Sequence, residues 1–157
     1  MKRVSISKLL ISLGISFLAG GIGSLFTYSQ ISSWYSTLQK PFFTPPNGIF
    51  GPVWTTLYFL MGVAFYSIWM QKYKYSKKTA IYLFILQLIL NTFWSVVFFG
   101  FHLLAVGFFV IVCLFIVLVF MAIYFRKINI TASYLLFPYL LWVGFASLLN
   151  LFIVFLN

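Results

Sequence analysis

The residues of this 157-residue chain best suited to chemistry are aromatics and amides set at helical spacing in apolar surroundings. Gln87, Asn91, Trp94 and Ser95 follow one another as i, i+4, i+7 and i+8, so a helix carries them on one face. Trp54 and Tyr58 stand one turn apart, and Met61 and Phe65 continue their stripe. Trp142, Ala146, Leu149 and Asn150 form a third such face. Indole N–H groups and carboxamides make directional hydrogen bonds, and indole faces stack. Together they can hold a flat, mostly apolar molecule by a few polar atoms. The same spacing also serves interhelical hydrogen bonding through Asn91 and plain core packing of the aromatic stripe.

What is missing narrows the chemistry further. The chain contains no Asp and no Glu. Paired-carboxylate hydrolysis, an aspartyl-phosphate intermediate and an acidic Ca²⁺ or Mg²⁺ site are therefore excluded, as is a carboxylate proton relay. One His (His102) and one Cys (Cys113) cannot build a zinc site or an intramolecular disulfide. His102, in a short loop, could ligate a haem iron or simply meet water, and Cys113 reads as a small apolar side chain. No metal, no resident cofactor and no general base for dark acid–base catalysis is expected, so the residues point to a binding protein rather than an enzyme.

The elements that must position these groups follow from composition. Hydrophobic residues make up 64% of the chain and charged residues 6%, against about 25% charged in soluble domains. The chain reads as an all-α integral membrane protein and a single transmembrane domain over residues 1–157. Charges leave four uncharged intervals, 9–39, 41–71, 79–125 and 128–157. At about 20 apolar residues per span, three hold one helix each and the 47-residue interval holds two. Turn signals place the five helices of the bundle near 9–28, 51–70, 79–99, 103–125 and 133–156. Backbone groups in lipid must be satisfied internally, and no alternating polar pattern supports a barrel.

The cations set the expected orientation. Lys2, Arg3, Lys8, Lys72, Lys74, Lys77, Lys78, Arg126 and Lys127 fall on one side and Lys40 alone on the other. This 9:1 bias puts the N-terminus in the cytoplasm and the C-terminus outside, in a plasma membrane. The basic residues therefore concern the bilayer, not nucleic acid. The first apolar stretch is read as a retained helix, being long for a signal peptide and lacking a clear cleavage site. Its Ser16, Ala19, Gly20, Gly23 and Ser24 permit close helix approach, within the bundle or in a dimer. The loop over 29–50 carries three prolines between Pro41 and Pro46, which rule out a continuous helix and favour an ordered cover over the bundle mouth.

Taken together, these segments resemble the tryptophan-rich sensory protein/translocator protein family. The matching strings are Trp34-Tyr-x-x-Leu38-x-Lys40-Pro41, Pro45-Pro46 and Trp54-x-x-Leu57-Tyr58-x-x-Met61-Gly62. They continue with Leu90-Asn91-x-x-Trp94-x-x-x-Phe98-Phe99-Gly100 and Pro138-Tyr139-x-x-Trp142-x-x-Phe145-Ala146-x-x-x-Asn150. The resemblance covers nearly the whole chain. It implies a five-helix bundle, commonly a homodimer, whose cavity binds porphyrins such as protoporphyrin IX and haem, and isoquinoline or benzodiazepine drugs. By position, Trp54, Asn91, Trp94, Trp142 and Ala146 fall in the pocket, with Phe50 and Leu149 carried over beside them. Pro45 and Pro46 belong to the covering loop. Trp54 and Trp142 also match positions implicated in light-dependent porphyrin breakdown by some bacterial members, so the resemblance implies a porphyrin receptor or sensor first, with such an enzyme and a porphyrin transporter or scavenger as the alternatives. Residues 146–157 hold neither Tyr nor a basic residue, so the family's late cholesterol-recognition pattern is absent. On this reading Lys40 would meet the propionates of a porphyrin.

Overall fold

The computed structural model describes residues 4–72 and 77–157. Seven helices follow in order: α1 (Ile6–Ser32), the short α2 (Trp34–Thr37), α3 (Phe50–Trp69), α4 (Lys77–Ser95), α5 (Leu104–Ile128), α6 (Ile130–Leu135) and α7 (Phe137–Leu156). A 3₁₀ turn over Asn47–Ile49 leads into α3, and a π-helical turn over Val96–Gly100 prolongs α4. With these extensions five segments are long and apolar enough to cross a membrane, namely Ile6–Ser32, Asn47–Trp69, Lys77–Gly100, Leu104–Ile128 and Ile130–Leu156. The expected five-helix membrane bundle is thus the fold.

Helix ends differ from the sequence reading for local reasons. α1 runs on to Ser32, because the Ser- and Thr-rich stretch after Tyr28 satisfies its own backbone: Ser33 Oγ donates to Ser29 O at 2.6 Å. The last span starts at Ile130, where the Asn129 side chain accepts from the Ala132 amide at 3.2 Å and caps α6. It then breaks at Leu136, ahead of Pro138 in the first turn of α7.

The helices close into a ring in the order α1, α3, α6–α7, α5, α4. Outer faces are apolar as well as inner ones: Leu18, Leu25, Phe109 and Phe155 are all exposed. Burial from water therefore does not drive the ring together, and close packing and polar contacts do. A Cβ at Gly62 would strike Leu13, so this glycine lets α1 and α3 touch. In the core, Phe65 of α3 and Phe84 of α4 stack at 4.0 Å with planes 3° apart. Ile111, Leu114, Leu118 and Phe125 of α5 fill the centre of the far wall.

Hydrogen bonds fix the two ends of the bundle. At one end the Ser5 amide donates to Tyr66 Oη at 3.2 Å, and Lys77 Nζ donates to Trp69 O at 3.1 Å. Lys8 Nζ lies 5.4 Å from the Trp69 ring centroid at the same end. At the other end Gln39 and the terminal Asn157 exchange two hydrogen bonds of 3.0 Å each. There His102 stacks on Trp34 at 4.1 Å, with its Nε2 3.1 Å from Gln30 Oε1. Because consecutive spans run antiparallel, Lys40 stands alone at this second end among the described cations.

Candidate functional site

Helix α3 carries Pro52 in its first turn, where a missing N–H costs nothing, and its Trp54 and Tyr58 turn toward α1 and α4, the Tyr58 ring against Gly20 and the Trp54 ring beside Trp94. On α4 the π turn matters. Phe101 N donates to Val96 O at 2.9 Å, an i→i−5 bond, and the extra residue per turn lets Trp94, Ser95, Phe98 and Phe99 all turn inward. α2 folds back from the end of α1 and inserts Tyr35 beside Phe99 at 5.7 Å and Phe50 at 6.3 Å.

These pieces enclose a cavity of about 330 Å³, in the usual range for small-molecule sites. α1 contributes a wall of Phe17, Gly20, Gly21, Gly23, Ser24 and Thr27; α3 contributes Phe50, Gly51, Trp54, Thr55 and Tyr58; the floor is Trp94, Ser95 and Phe99, with Tyr35 at the end. The Trp54 ring lies between two neighbours, stacked on Tyr58 at 5.7 Å and tilted against Trp94 at 6.1 Å. The lining offers flat aromatic faces, small residues that leave room, and no charged side chain.

Behind the aromatic wall lies a connected polar network. Tyr58 Oη donates to Asn91 Oδ1 at 2.6 Å, Asn91 Nδ2 donates to Tyr139 Oη at 2.7 Å, and Tyr139 Oη donates to Gln87 Oε1 at 3.1 Å. Trp94 Nε1 donates to Asn150 Oδ1 at 3.2 Å, and Asn150 Nδ2 donates to Ala146 O at 2.9 Å. Asn91 and Asn150 are thus interhelical connectors that hold Tyr58 and Trp94 from behind.

Of the residues singled out from the sequence, Phe50, Trp54, Tyr58 and Trp94 line the cavity, while Asn91, Ala146 and Leu149 lie behind its wall. Trp142 sits one residue further out, its ring 6.0 Å from Phe50 and its buried Nε1 without a hydrogen-bond partner. Pro45 and Pro46 do not line the cavity either; the loop before them crosses α7, with Phe43 against Phe152 at 5.3 Å and Phe145 at 6.2 Å. Lys40 has a structural place of its own. Its ammonium donates to Tyr35 O at 2.7 Å, Leu38 O at 2.9 Å and Ser36 O at 3.4 Å, capping the carbonyl end of α2. All three of its protons face the backbone. His102 likewise has a structural place, in a left-handed conformation with φ of 58° that its ring stack and Gln30 contact stabilise.

Sequence reasoning missed Tyr35 and the whole α1 wall. The adjacency of Trp34 and Tyr35 was the only signal for the first. Small residues on α1 signalled close packing, and packing does occur at Gly20, where an added Cβ would strike the Tyr58 ring. At Gly21, the next residue along the helix, an added Cβ would meet nothing within 4 Å.

Comparison with known proteins adds independent findings. The TspO/MBR family profile matches residues 12–156. A tryptophan-rich protein TspO from Archaeoglobus fulgidus is 40% identical over 154 residues, covering 98% of this chain and 99% of the relative. The translocator protein of Ovis aries is 35% identical over 83% of this chain and 79% of its own. A tryptophan-rich sensory protein from Cereibacter sphaeroides is 32% identical over 74% of this chain and 72% of its own.

Proposed function

Because the chain belongs to the TspO/MBR family of membrane proteins, we propose that it is a receptor or sensor that binds porphyrins, protoporphyrin IX and haem among them, together with similar planar apolar molecules such as isoquinoline- and benzodiazepine-type drugs. The observation that carries this reading is the exposed flank of Trp54 in the cavity wall, held between Tyr58 and Trp94. A flat ring system slides against such a surface with little loss of side-chain freedom, since the indole is already packed. Titrating the purified protein with protoporphyrin IX while following tryptophan fluorescence tests it. Saturable quenching at micromolar ligand is expected, and its absence removes the reading.

A second reading, light-dependent porphyrin breakdown with molecular oxygen as oxidant, draws on the cluster around Trp54. Its ring lies 6.1 Å from Trp94 and 6.2 Å from Tyr139, close enough to share an oxidising equivalent. Illumination of the complex separates the two readings. A new absorbing product that Trp54→Phe abolishes without loss of binding favours the enzyme; no product leaves the receptor. For orientation, the nine cations of one side against one on the other support a cytoplasmic N-terminus and an external C-terminus.

A further inference from the structure

The bundle end that gathers Ser5, Trp69 and Lys77 carries a charge that the chain itself cannot neutralise. There are ten Lys and Arg side chains and no Asp or Glu, so no side-chain ion pair can form. Because consecutive spans run antiparallel, α1 starts, α3 ends, α4 starts and α5 ends here. Lys8 and Lys77 are half-buried, the first over the Trp69 ring and the second on the Trp69 carbonyl. Lys72, Lys78, Arg126 and Lys127 are exposed. None of them lines the cavity, so the binding reading gives them no role.

Two of the exposed cations head apolar stripes. On α4, Tyr82, Ile85 and Ile89 follow Lys78 at i+4, i+7 and i+11, which is one helix face, and all three are exposed. On α5, Ile123, Phe120 and Ile116 precede Lys127 at i−4, i−7 and i−11, and these are exposed as well. The two helices are neighbours in the ring and run antiparallel. Both stripes therefore face away from the core, with their cations at the same end, and Arg126 adds a third charge beside Lys127. A long basic side chain at the end of a lipid-facing stripe reaches the headgroup level while its stem stays on the apolar surface.

This flank suits one kind of occupant. Phospholipid chains fit the stripes, and a headgroup of net negative charge meets the cations above them; a zwitterionic headgroup brings its own ammonium and gains less. A second copy of the chain packed here in the same orientation would set its own Lys78, Arg126 and Lys127 against these, with no carboxylate to meet them. A soluble acidic partner could reach the cations but not the stripes.

We propose that the α4–α5 flank is a selective seat for anionic phospholipid, in the leaflet that this end of the bundle meets. Lys78, Arg126 and Lys127 hold the headgroup, and the two stripes below hold its chains. The seat is separate from the cavity and does not depend on what the cavity binds.

The full chain is reconstituted in phosphatidylcholine bilayers with trace spin-labelled phosphatidylglycerol or spin-labelled phosphatidylcholine. Electron paramagnetic resonance then reads how strongly each lipid associates with the protein. Phosphatidylglycerol is expected to associate at least threefold more strongly at about 0.01 M salt and less than about 1.5-fold more strongly at about 1 M, where screening acts over about 3 Å. This salt series needs no variant. Equal association of the two lipids at low salt would overturn the proposal and leave the cations to a soluble acidic partner. A preference that salt does not reduce would overturn its charge basis. To locate the seat, Lys78→Gln with Lys127→Gln is compared with Lys40→Gln and Lys72→Gln, a pair that removes the same charge elsewhere. The first pair should halve the preference or more, and the second should leave at least four-fifths of it. Equal loss in both pairs would assign the effect to net charge and sink the α4–α5 seat.

Discussion

Tyr58 is gripped from two sides: its hydroxyl donates to Asn91 Oδ1 at 2.6 Å, and its ring edge rests on Gly20 of α1 with no space for another carbon. One residue thereby joins three helices, and it also faces the cavity. The polar grip and the steric grip predict different consequences.

Tyr58→Phe keeps the ring and removes the hydroxyl, leaving Asn91 Oδ1 without its donor in the middle of the bundle. Side-chain hydrogen bonds between membrane helices average about 0.6 kcal/mol, with a maximum near 1.7. A stability loss of about 1 kcal/mol is expected, seen as a lower midpoint in thermal unfolding in detergent. Porphyrin affinity should change by less than about threefold, a 0.6 kcal/mol effect, because the hydroxyl points behind the wall. A larger loss of affinity would mean that the network, not the aromatic face, contacts the ligand.

Gly20→Ala and Gly21→Ala should behave oppositely despite their adjacency. At position 20 the added methyl overlaps the Tyr58 ring, which is pinned by Asn91 and stacked on Trp54. Overpacking of that kind costs about 1–3 kcal/mol, and it should displace Trp54 enough to weaken ligand quenching. At position 21 the methyl meets nothing within 4 Å. Replacing Gly there removes backbone freedom from the unfolded chain, so stability should be unchanged or slightly raised, by up to about 1 kcal/mol. Paired melting curves of the two variants check the contrast.

These pairs also show what a sequence can disclose. Helix number and the inward stripe of Trp54, Tyr58 and Trp94 were legible because membrane spans need length and apolarity, and stripes need only spacing. The role of α1 was not, because Gly20 and Gly21 carry the same side chain and differ only in whether another helix fills the space beside them. The capping place of Lys40 was not legible for a related reason. A lone positive charge near a binding loop suggests an anion, but the sequence does not show that α2 ends within reach and presents three carbonyls to it. The Asn91 face was left open between helix contact and ligand site, and the structure shows the helix contact: Asn91 Oδ1 accepts from Tyr58 and Asn91 Nδ2 donates to Tyr139.

Lys40→Gln should therefore act on α2 and not on ligand charge. Losing the ammonium removes up to three charge-assisted contacts to carbonyls of residues 35, 36 and 38, and with them the interaction over the Tyr35 ring at 4.9 Å. Cation contacts at helix carbonyl ends contribute about 0.3–1 kcal/mol at exposed sites. Faster amide exchange over residues 34–40 is expected, with affinity for protoporphyrin IX altered less than about twofold, within 0.4 kcal/mol. Hydrogen-exchange mass spectrometry reads the first and fluorescence titration the second.

Tyr35 supplies a pH dependence whose direction can be worked out. Burial pushes its hydroxyl from the ordinary value of 10.0 up to about 12, because the phenolate would lose its hydration on docking. Below pH 10 the folded and unfolded chains both hold this proton, and the docking of α2 is unaffected by pH. Between 10 and about 12 the undocked chain releases the proton while the docked one retains it, so undocking is increasingly favoured as pH rises. Stability from this residue is thus present below pH 10 and lost above it, by up to about 1.4 kcal/mol per unit. Trp34 precedes Tyr35 and stacks on His102 at 4.1 Å, so its emission reports the same movement. The alkaline transition in tryptophan emission should be diminished in Tyr35→Phe relative to the unmodified protein between pH 10 and 12, and Tyr28→Phe, at an exposed hydroxyl, should leave it in place. An identical alkaline transition in Tyr35→Phe would show that another group controls it.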